Sequence, residues 1–172
     1  HRAESAIAIA QNTPDAPARL ALKEQINVLS DAIQATLRSS ASESAALQSF
    51  SRLTGLWRQL QNDIDNRNLT LATSLTHHAQ LIRTLLDTNM QVVDFYGLSL
   101  DPDLNTYQFI ISTFNRLPEL TETLGQIRAR GTSLLASKEG IYDSDYARME
   151  FQILNGRNAL RLFNDNLLKS FE

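Results

Sequence analysis

The spacing of apolar residues constrains this chain more than any other feature. From residue 22 onward they recur in steps of three and four. Leu22, Ile26, Leu29, Ile33 and Leu37 form the first run, and Ala46, Phe50, Leu53, Trp57, Leu60 and Ile64 the second. Leu75, Ala79, Ile82, Leu86, Asn89, Val93 and Tyr96 follow, then Ile110, Thr113, Leu117, Leu120, Leu124, Ile127, Gly131 and Leu134. Tyr146, Met149, Ile153, Gly156, Leu160, Phe163 and Leu167 close the pattern. A mean step near 3.5 puts each run on one side of an α-helix, whereas a half-buried strand needs a step of two. The residue supply agrees: 27 Leu and 18 Ala stand against 3 Val, and the first two favour helix while the third favours sheet. The expected fold class is all-α, an antiparallel helical bundle of four long helices plus an extra N-terminal helix, in one domain over residues 1–172.

Breaks between the runs set the boundaries. Thr13-Pro14-Asp15-Ala16-Pro17 ends a first helical stretch over 1–11, because proline cannot continue a helix. Ser39-Ser40-Ala41-Ser42 offers N-cap hydroxyls, and Asp65-Asn66-Arg67-Asn68 reads as a polar corner. Gly97 suits the left-handed position after a helix end. Ser99-Leu100-Asp101-Pro102-Asp103 reads as a loop followed by a helix start, with an Asp cap and an acidic first turn against the helix dipole. The helix that follows is the longest, about 34 residues or roughly 50 Å, and Pro118 inside it should kink it. A turn is expected over 137–144. The sequence starts without a cap and stops inside a helical pattern, so both ends read as cut.

Composition excludes several function classes. Net charge is −3, with 3 Lys and no basic block, so phosphate neutralisation is poorly served and nucleic acid is not an expected partner. The longest purely apolar stretch, Ala6 to Ala10, is far short of a membrane span. No signal-peptide pattern is present, although a domain excised from between two membrane helices would look the same. Zero Cys excludes disulfides, Cys-ligated zinc and thiol catalysis.

The candidate chemistry is sparse. Asp101-x-Asp103-x-Asn105 resembles half a calcium loop, but Thr106 stands where Gly belongs and Ser112 where Glu belongs; capping explains the acids. His77 and His78 are helix neighbours about 100° apart and cannot chelate one ion together. They read as a surface His beside a half-buried one. Asn68-Leu69-Thr70 is a glycosylation sequon only in a secreted eukaryotic chain. No nucleophile motif, phosphate loop or paired carboxylates occur, so neither enzyme activity, metal nor cofactor is expected. Trp57 reads as core and Arg58 as surface.

Polar residues on the apolar runs say more. Asn89 and Thr113 fall at core positions of consecutive helices, where a buried amide must be hydrogen-bonded. They form either a register-fixing pair or part of a ligand pocket between helices. Arg83, Tyr107 and Arg116 lie on or near the same two helices, and Arg is the natural fork for a carboxylate. The candidate ligand-binding set is therefore Arg83, Asn89, Tyr107, Thr113 and Arg116.

One stretch resembles a known family. Gly97-Leu98-Ser99-Leu100-Asp101-Pro102-Asp103-Leu104-Asn105-Thr106-Tyr107, then Leu117-Pro118-Glu119-Leu120, then Gly125-Gln126-Ile127-Arg128, is similar to the helical extracytoplasmic sensor regions of bacterial methyl-accepting chemotaxis proteins. Related regions occur in transmembrane histidine kinases and diguanylate cyclases. The resemblance covers about fifty residues, from Leu81 to Gly131. It implies a periplasmic ligand-sensing domain of an inner-membrane signal transducer. Such a domain dimerises through long helices, is joined to the membrane by flanking segments, and passes a helix shift inward when a small molecule binds. In the family a second Tyr and an acidic residue follow the first Tyr; Gln108 and Ile111 stand at about those places here, which implies a different ligand or none. The alternative is a structural or protein-docking helical module without a small-molecule ligand.

Overall fold

The structure, a computed structural model, describes residues 1–136 and 142–172. The described chain is all-α, and its helices pack against one another, as the apolar spacing predicts. It divides into two compact units, His1–Phe95 and Tyr96–Glu172.

The first unit contains α1 (Arg2–Gln11), α2 (Pro17–Ser40), α3 (Ala45–Asp65) and α4 (Leu71–Phe95). Pro17 opens α2, where its missing N–H costs nothing. The cap of α3 is Ser44, two residues beyond the expected stretch; its hydroxyl accepts the Leu47 N–H at 3.1 Å. The whole predicted run of α3, from Ala46 through Phe50, Leu53, Trp57 and Leu60 to Ile64, is buried. Phe50 and Leu53 join Leu37 and Ala41 in a core against which Leu47, Leu81 and Val92 pack.

α2 lies antiparallel along α3. Asn27 accepts the Trp57 indole N–H at 2.8 Å, while Arg19, nearer the start of α2, reaches Gln61 and Asp65, nearer the end of α3. Much of the α2 contact is therefore polar, and its apolar run is only partly used. Leu37 is buried, but Ile33 is exposed and Leu29 is 61% exposed. On α4 the inward band keeps Val93 of the predicted run and adds residues one position before its other members: Val93, Ser74, His78 and Thr88 are buried and Leu81 and Val92 pack on the core. Thr88 is deeply placed because its hydroxyl bonds to the Thr84 carbonyl of its own helix at 2.7 Å.

Arg19 is a fully buried cation. Its Nε donates to the Pro14 carbonyl at 2.5 Å, one terminal nitrogen to Gln61 at 3.0 Å, and the other to Asp65. Lys23 shares that carboxylate at 2.6 Å. Burial alone would raise the Asp65 carboxyl, but hydrogen bonds from Lys23 and Arg19, with their charges, hold it below the usual range. A buried pair adds little net stability, yet removing one partner strands the other charge. Asp65→Asn should therefore destabilise the chain by about 2 kcal/mol in urea unfolding. That is less than for a fully buried pair, because the Asp65 side chain keeps contact with water.

The second unit begins at a 3₁₀ turn, Leu98–Leu100, after Gly97, whose φ of 68° is the left-handed value its position needs. Asp103 caps α5 (Leu104–Ile111), accepting the Thr106 N–H at 2.8 Å. That bond holds the exposed Asp103 carboxyl below its usual range. Asp101 in turn accepts the Asp103 N–H at 2.9 Å, so the two acids shape the helix start. A π-helical turn, Ser112–Arg116, joins α5 to α6 (Leu117–Ala136). Pro118 explains it. Proline has no N–H for the carbonyl four residues earlier and its ring crowds that carbonyl, and a widened turn relieves both. The Leu117 N–H accordingly bonds five residues back, to Ser112.

α7 (Asp143–Lys169) runs antiparallel to α6. Met149 approaches Gly131, Gly156 faces Ile127 and Thr123, and Asn166 bonds Arg116, so numbers rise on one helix as they fall on the other. The turn expected over 137–144 falls mostly on residues 137–141, outside the described residues. Half of the predicted α7 run faces α6: Gly156 is buried and Met149 and Phe163 are half-buried. The other half, Tyr146, Ile153 and Leu160, is 64%, 40% and 46% exposed.

Gly156 is where the two helices come closest. A Cβ there would lie 3.1 Å from the Ile127 Cδ1 and 3.8 Å from the Thr123 Cγ2. Alanine recovers roughly 1 kcal/mol of helix propensity and displaces only the flexible tip of Ile127, so Gly156→Ala should leave thermal stability near wild type or slightly raised. Gly156→Leu must push the helices apart and should cost about 2 kcal/mol or more.

Candidate functional site

The π turn carries two of the five sequence-derived site residues, Thr113 and Arg116. Tyr107 lies one to two turns earlier on α5. All three are half-buried in the second unit. Arg116 is not free for a ligand. Its Nε donates to Asn166 Oδ1 at 3.4 Å and a terminal nitrogen donates to Glu119 at 3.3 Å. Asn166 in turn donates from Nδ2 to Gln108 at 2.5 Å. A polar chain Gln108–Asn166–Arg116–Glu119 thus ties α5, the π turn and the start of α6 to α7.

Asn89 and Arg83 belong to α4, in the first unit. Arg83 is exposed, and Asn89 is half-buried with a partner of its own. Neither Asn89 nor Thr113 is the deepest polar group on its helix: Ser74 and Thr88 lie deeper on α4, and Ser112 in the π turn. The cause on α4 is that the inward band takes in Thr88, the residue before Asn89. On the longest helix it is the π turn, whose extra residue advances the register between Ile110 and Leu120, both buried. Ser112 is fully buried and its hydroxyl has no hydrogen-bond partner.

Ser112 and Gln108 stand out in the sequence only as departures from a calcium loop and from the family pattern, and Asn166 does not stand out at all. Pro118 was the available signal for the π turn, since the defect lies just before it. Nothing in local sequence marks Asn166 as a crossing partner; only the antiparallel register brings it to Arg116.

The first unit holds a second polar cluster. His78 is buried, and its Nδ1–H donates to the Ser74 carbonyl at 2.8 Å. That leaves Nε2 to accept from His1 Nδ1 at 3.0 Å. The His1 ring also meets Trp57, within the α3 seam, edge to face at 4.8 Å. His77 is half-buried, so of the two neighbours it is His78 that carries the interior role. Burial pushes His78 down to about 4, helped by the nearby charges of Arg2 and His77 and opposed by the hydrogen bond to Ser74.

No group of three or more His, Asp or Glu able to hold a metal occurs among the described residues. Among them, no helix is long and apolar enough to cross a membrane. No family model matches the chain, and no curated protein or solved structure matches it.

The His78 environment fixes a pH dependence. The imidazole is neutral when folded down to about pH 4 but takes up a proton near 6.5 when unfolded. The unfolded chain binds more protons between these values, so stability is full above about pH 6.5 and declines as pH falls toward 4. The decline attributable to this group should be on the order of 2–3 kcal/mol. Unfolding of wild type and His78→Gln across that window, compared at each pH, isolates it: the variant's curve should be flatter by that amount.

Proposed function

We propose that the chain is a periplasmic sensory module of the chemoreceptor kind. In this reading it works as a homodimer, is joined to the inner membrane through flanking segments, and signals by helix displacement without catalysis. The observation that carries the reading is the divided apolar run of α7. Met149 and Gly156 meet α6, while Tyr146, Ile153 and Leu160 repeat every seven residues on an exposed flank. Leu117 and Leu124 repeat the same interval, exposed, on α6. Side chains at that interval form a second seam suited to another helix, and a second copy of the chain supplies matching seams by symmetry. An open groove of about 370 Å³, lined by Tyr146, Met149, Ile153 and Leu154 with Glu150 and Arg157, runs along this flank.

The π turn supports the signalling half of the reading. A helix that already carries a wide turn and a buried, unpartnered Ser112 has a register defect able to move at low cost. The Arg116–Asn166 contact couples that defect to α7. A ligand binding one register better than the other shifts the population by its differential affinity, typically about 1–3 kcal/mol.

The expected result in sedimentation is a dimer that Ile153→Glu with Leu160→Glu converts to a monomer without loss of helical circular dichroism. A dimer that survives both glutamates removes the carrying observation. The exposed seam equally serves the alternative, a docking module with no small-molecule ligand. A thermal-shift screen with organic acids and amino acids separates the two: a hit favours sensing, and a flat screen on a clean dimer favours docking.

A further inference from the structure

A cleft of about 120 Å³ lies in the first unit where the α1–α2 connection meets the corner between α3 and α4. Ala8, Ile9, Pro14, Ile64 and Leu69 give it an apolar lining, and Asn12 and Arg67 are its polar members. We propose that this cleft binds a short carboxylate, its chain against Ala8 and Ile64 and its head on Arg67 and Asn12. The proposal goes beyond the dimeric sensory reading and uses none of the residues that reading depends on.

The backbone is the first support. Asn12 and Arg67 are the two non-glycine residues with positive φ among the described residues, at 57° and 59°, and both line this one cleft. Each follows a helix end. After α1, the Thr13 N–H returns to the Ala8 carbonyl at 2.8 Å and the Asn12 N–H to Ile9 at 3.2 Å. After α3, the Asn68 N–H returns to Asp63 at 2.8 Å and the Arg67 N–H to Ile64 at 3.0 Å. These are paired Schellman closures, whose left-handed position usually holds glycine. Asparagine tolerates that conformation; arginine does so at a cost, and residues held in such strain gather at ligand clamps.

Unspent donors are the second support. The Asn12 and Arg67 side chains are exposed at the cleft mouth, and neither has a hydrogen-bond or ion-pair partner among the described residues, so only water competes for them. The nearby cations Arg19 and Lys23 are both committed to Asp65. Arg67 is therefore the positive charge still available at this end of the unit, and a planar guanidinium suits a carboxylate in a two-bond fork. The volume equals about four water molecules, which admits a head group and a chain of one to three carbons.

The helix ends set the strength. α1 and α3 both present their C-terminal, partially negative ends here, which oppose an anion. The Schellman bonds engage some of those carbonyls, and the full charge of Arg67 must outweigh the remainder. Binding is accordingly weak, with a Kd on the order of 1 mM.

Titration of the full chain with acetate, propionate and butyrate, read by amide chemical shifts, tests this. Propionamide and propylammonium are the controls. Saturable shifts at Asn12, Arg67 and Leu69 with the acids, at least tenfold weaker with the amide and absent with the ammonium, are expected. Arg67→Gly relaxes the left-handed position, so its melting temperature should equal or exceed wild type while carboxylate binding falls at least tenfold. Asn12→Gly should also stay folded and bind several-fold more weakly. No saturable shift at these residues, equal binding of acid and amide, or undiminished binding by a folded Arg67→Gly variant would each overturn the proposal. None of these outcomes bears on dimerisation, so the two readings fail separately.

Discussion

The first unit is organised around the buried seam of α3. Six residues from Ala46 to Ile64 are withdrawn from water on one helix, and at roughly 1.5–3 kcal/mol for each large side chain this is the main hydrophobic term available there. Neighbouring elements contact that helix at identifiable points. Leu37 and Ala41 meet its first half, Asn27 meets Trp57, and Arg19 meets Gln61 and Asp65 at its end. The polar contacts lie at the flank and end of the apolar stripe, where they fix how α2 sits. An apolar seam alone tolerates sliding by one turn; an indole N–H that must reach one particular amide does not.

Helix existence and most boundaries were legible because they rest on local chemistry. Proline at 14 and 17, the corner at 65–68, glycine at 97 and an Asp cap before α5 act within one turn of the chain, and the helix ends fall at them; which Asp caps, Asp103, is settled by the structure. The full inward face is legible only on α3, which has neighbours enough to bury its whole run; elsewhere single members of the predicted runs, such as Leu37, Val93, Ile110 and Leu120, are the buried ones. On α4 the interior takes Ser74, His78 and Thr88, polar residues that a hydrophobic count passes over. Part of their hydrogen bonding is closed within their own helix: the His78 Nδ1–H and the Thr88 hydroxyl both bond carbonyls four residues back. A residue that closes its own hydrogen bond can be buried almost as an apolar one.

The candidate ligand set fared according to the same logic. The Arg116 guanidinium is used by Asn166 and Glu119. Asn89 and Thr113 each stand one position after a more deeply buried polar residue, Thr88 on α4 and Ser112 at the π turn. Arg83 is exposed. Long-range pairings such as Arg116 with Asn166 and Arg19 with Asp65 depend on antiparallel register, which sequence spacing leaves open by whole turns. Arg67 shows the converse: its left-handed conformation follows from the helix end, yet nothing in Asp65-Asn66-Arg67-Asn68 distinguishes the arginine as the strained member.

Stripe width, more than stripe period, records how many neighbours a helix is built for. A helix with one partner buries a seam of two positions per seven residues; a helix between two partners needs a broader band. α7 has the broader band, yet the close contacts with α6 fall at Met149 and Gly156, with Phe163 half-buried on the same line. Tyr146, Ile153 and Leu160 keep the same seven-residue interval while exposed. Scattered surface leucines need no explanation, but an apolar repeat in phase with a buried one does. On the α6 side, Leu117 and Leu124 repeat at the same interval and are also exposed, and the π turn ends at Arg116, immediately before this outer line begins. A shift of register there would move the inner contact with α7 and the outer leucines together. That gives one helix two seams joined by a single adjustable turn, which is the mechanical requirement for an element that converts a small local preference into a displacement along its length.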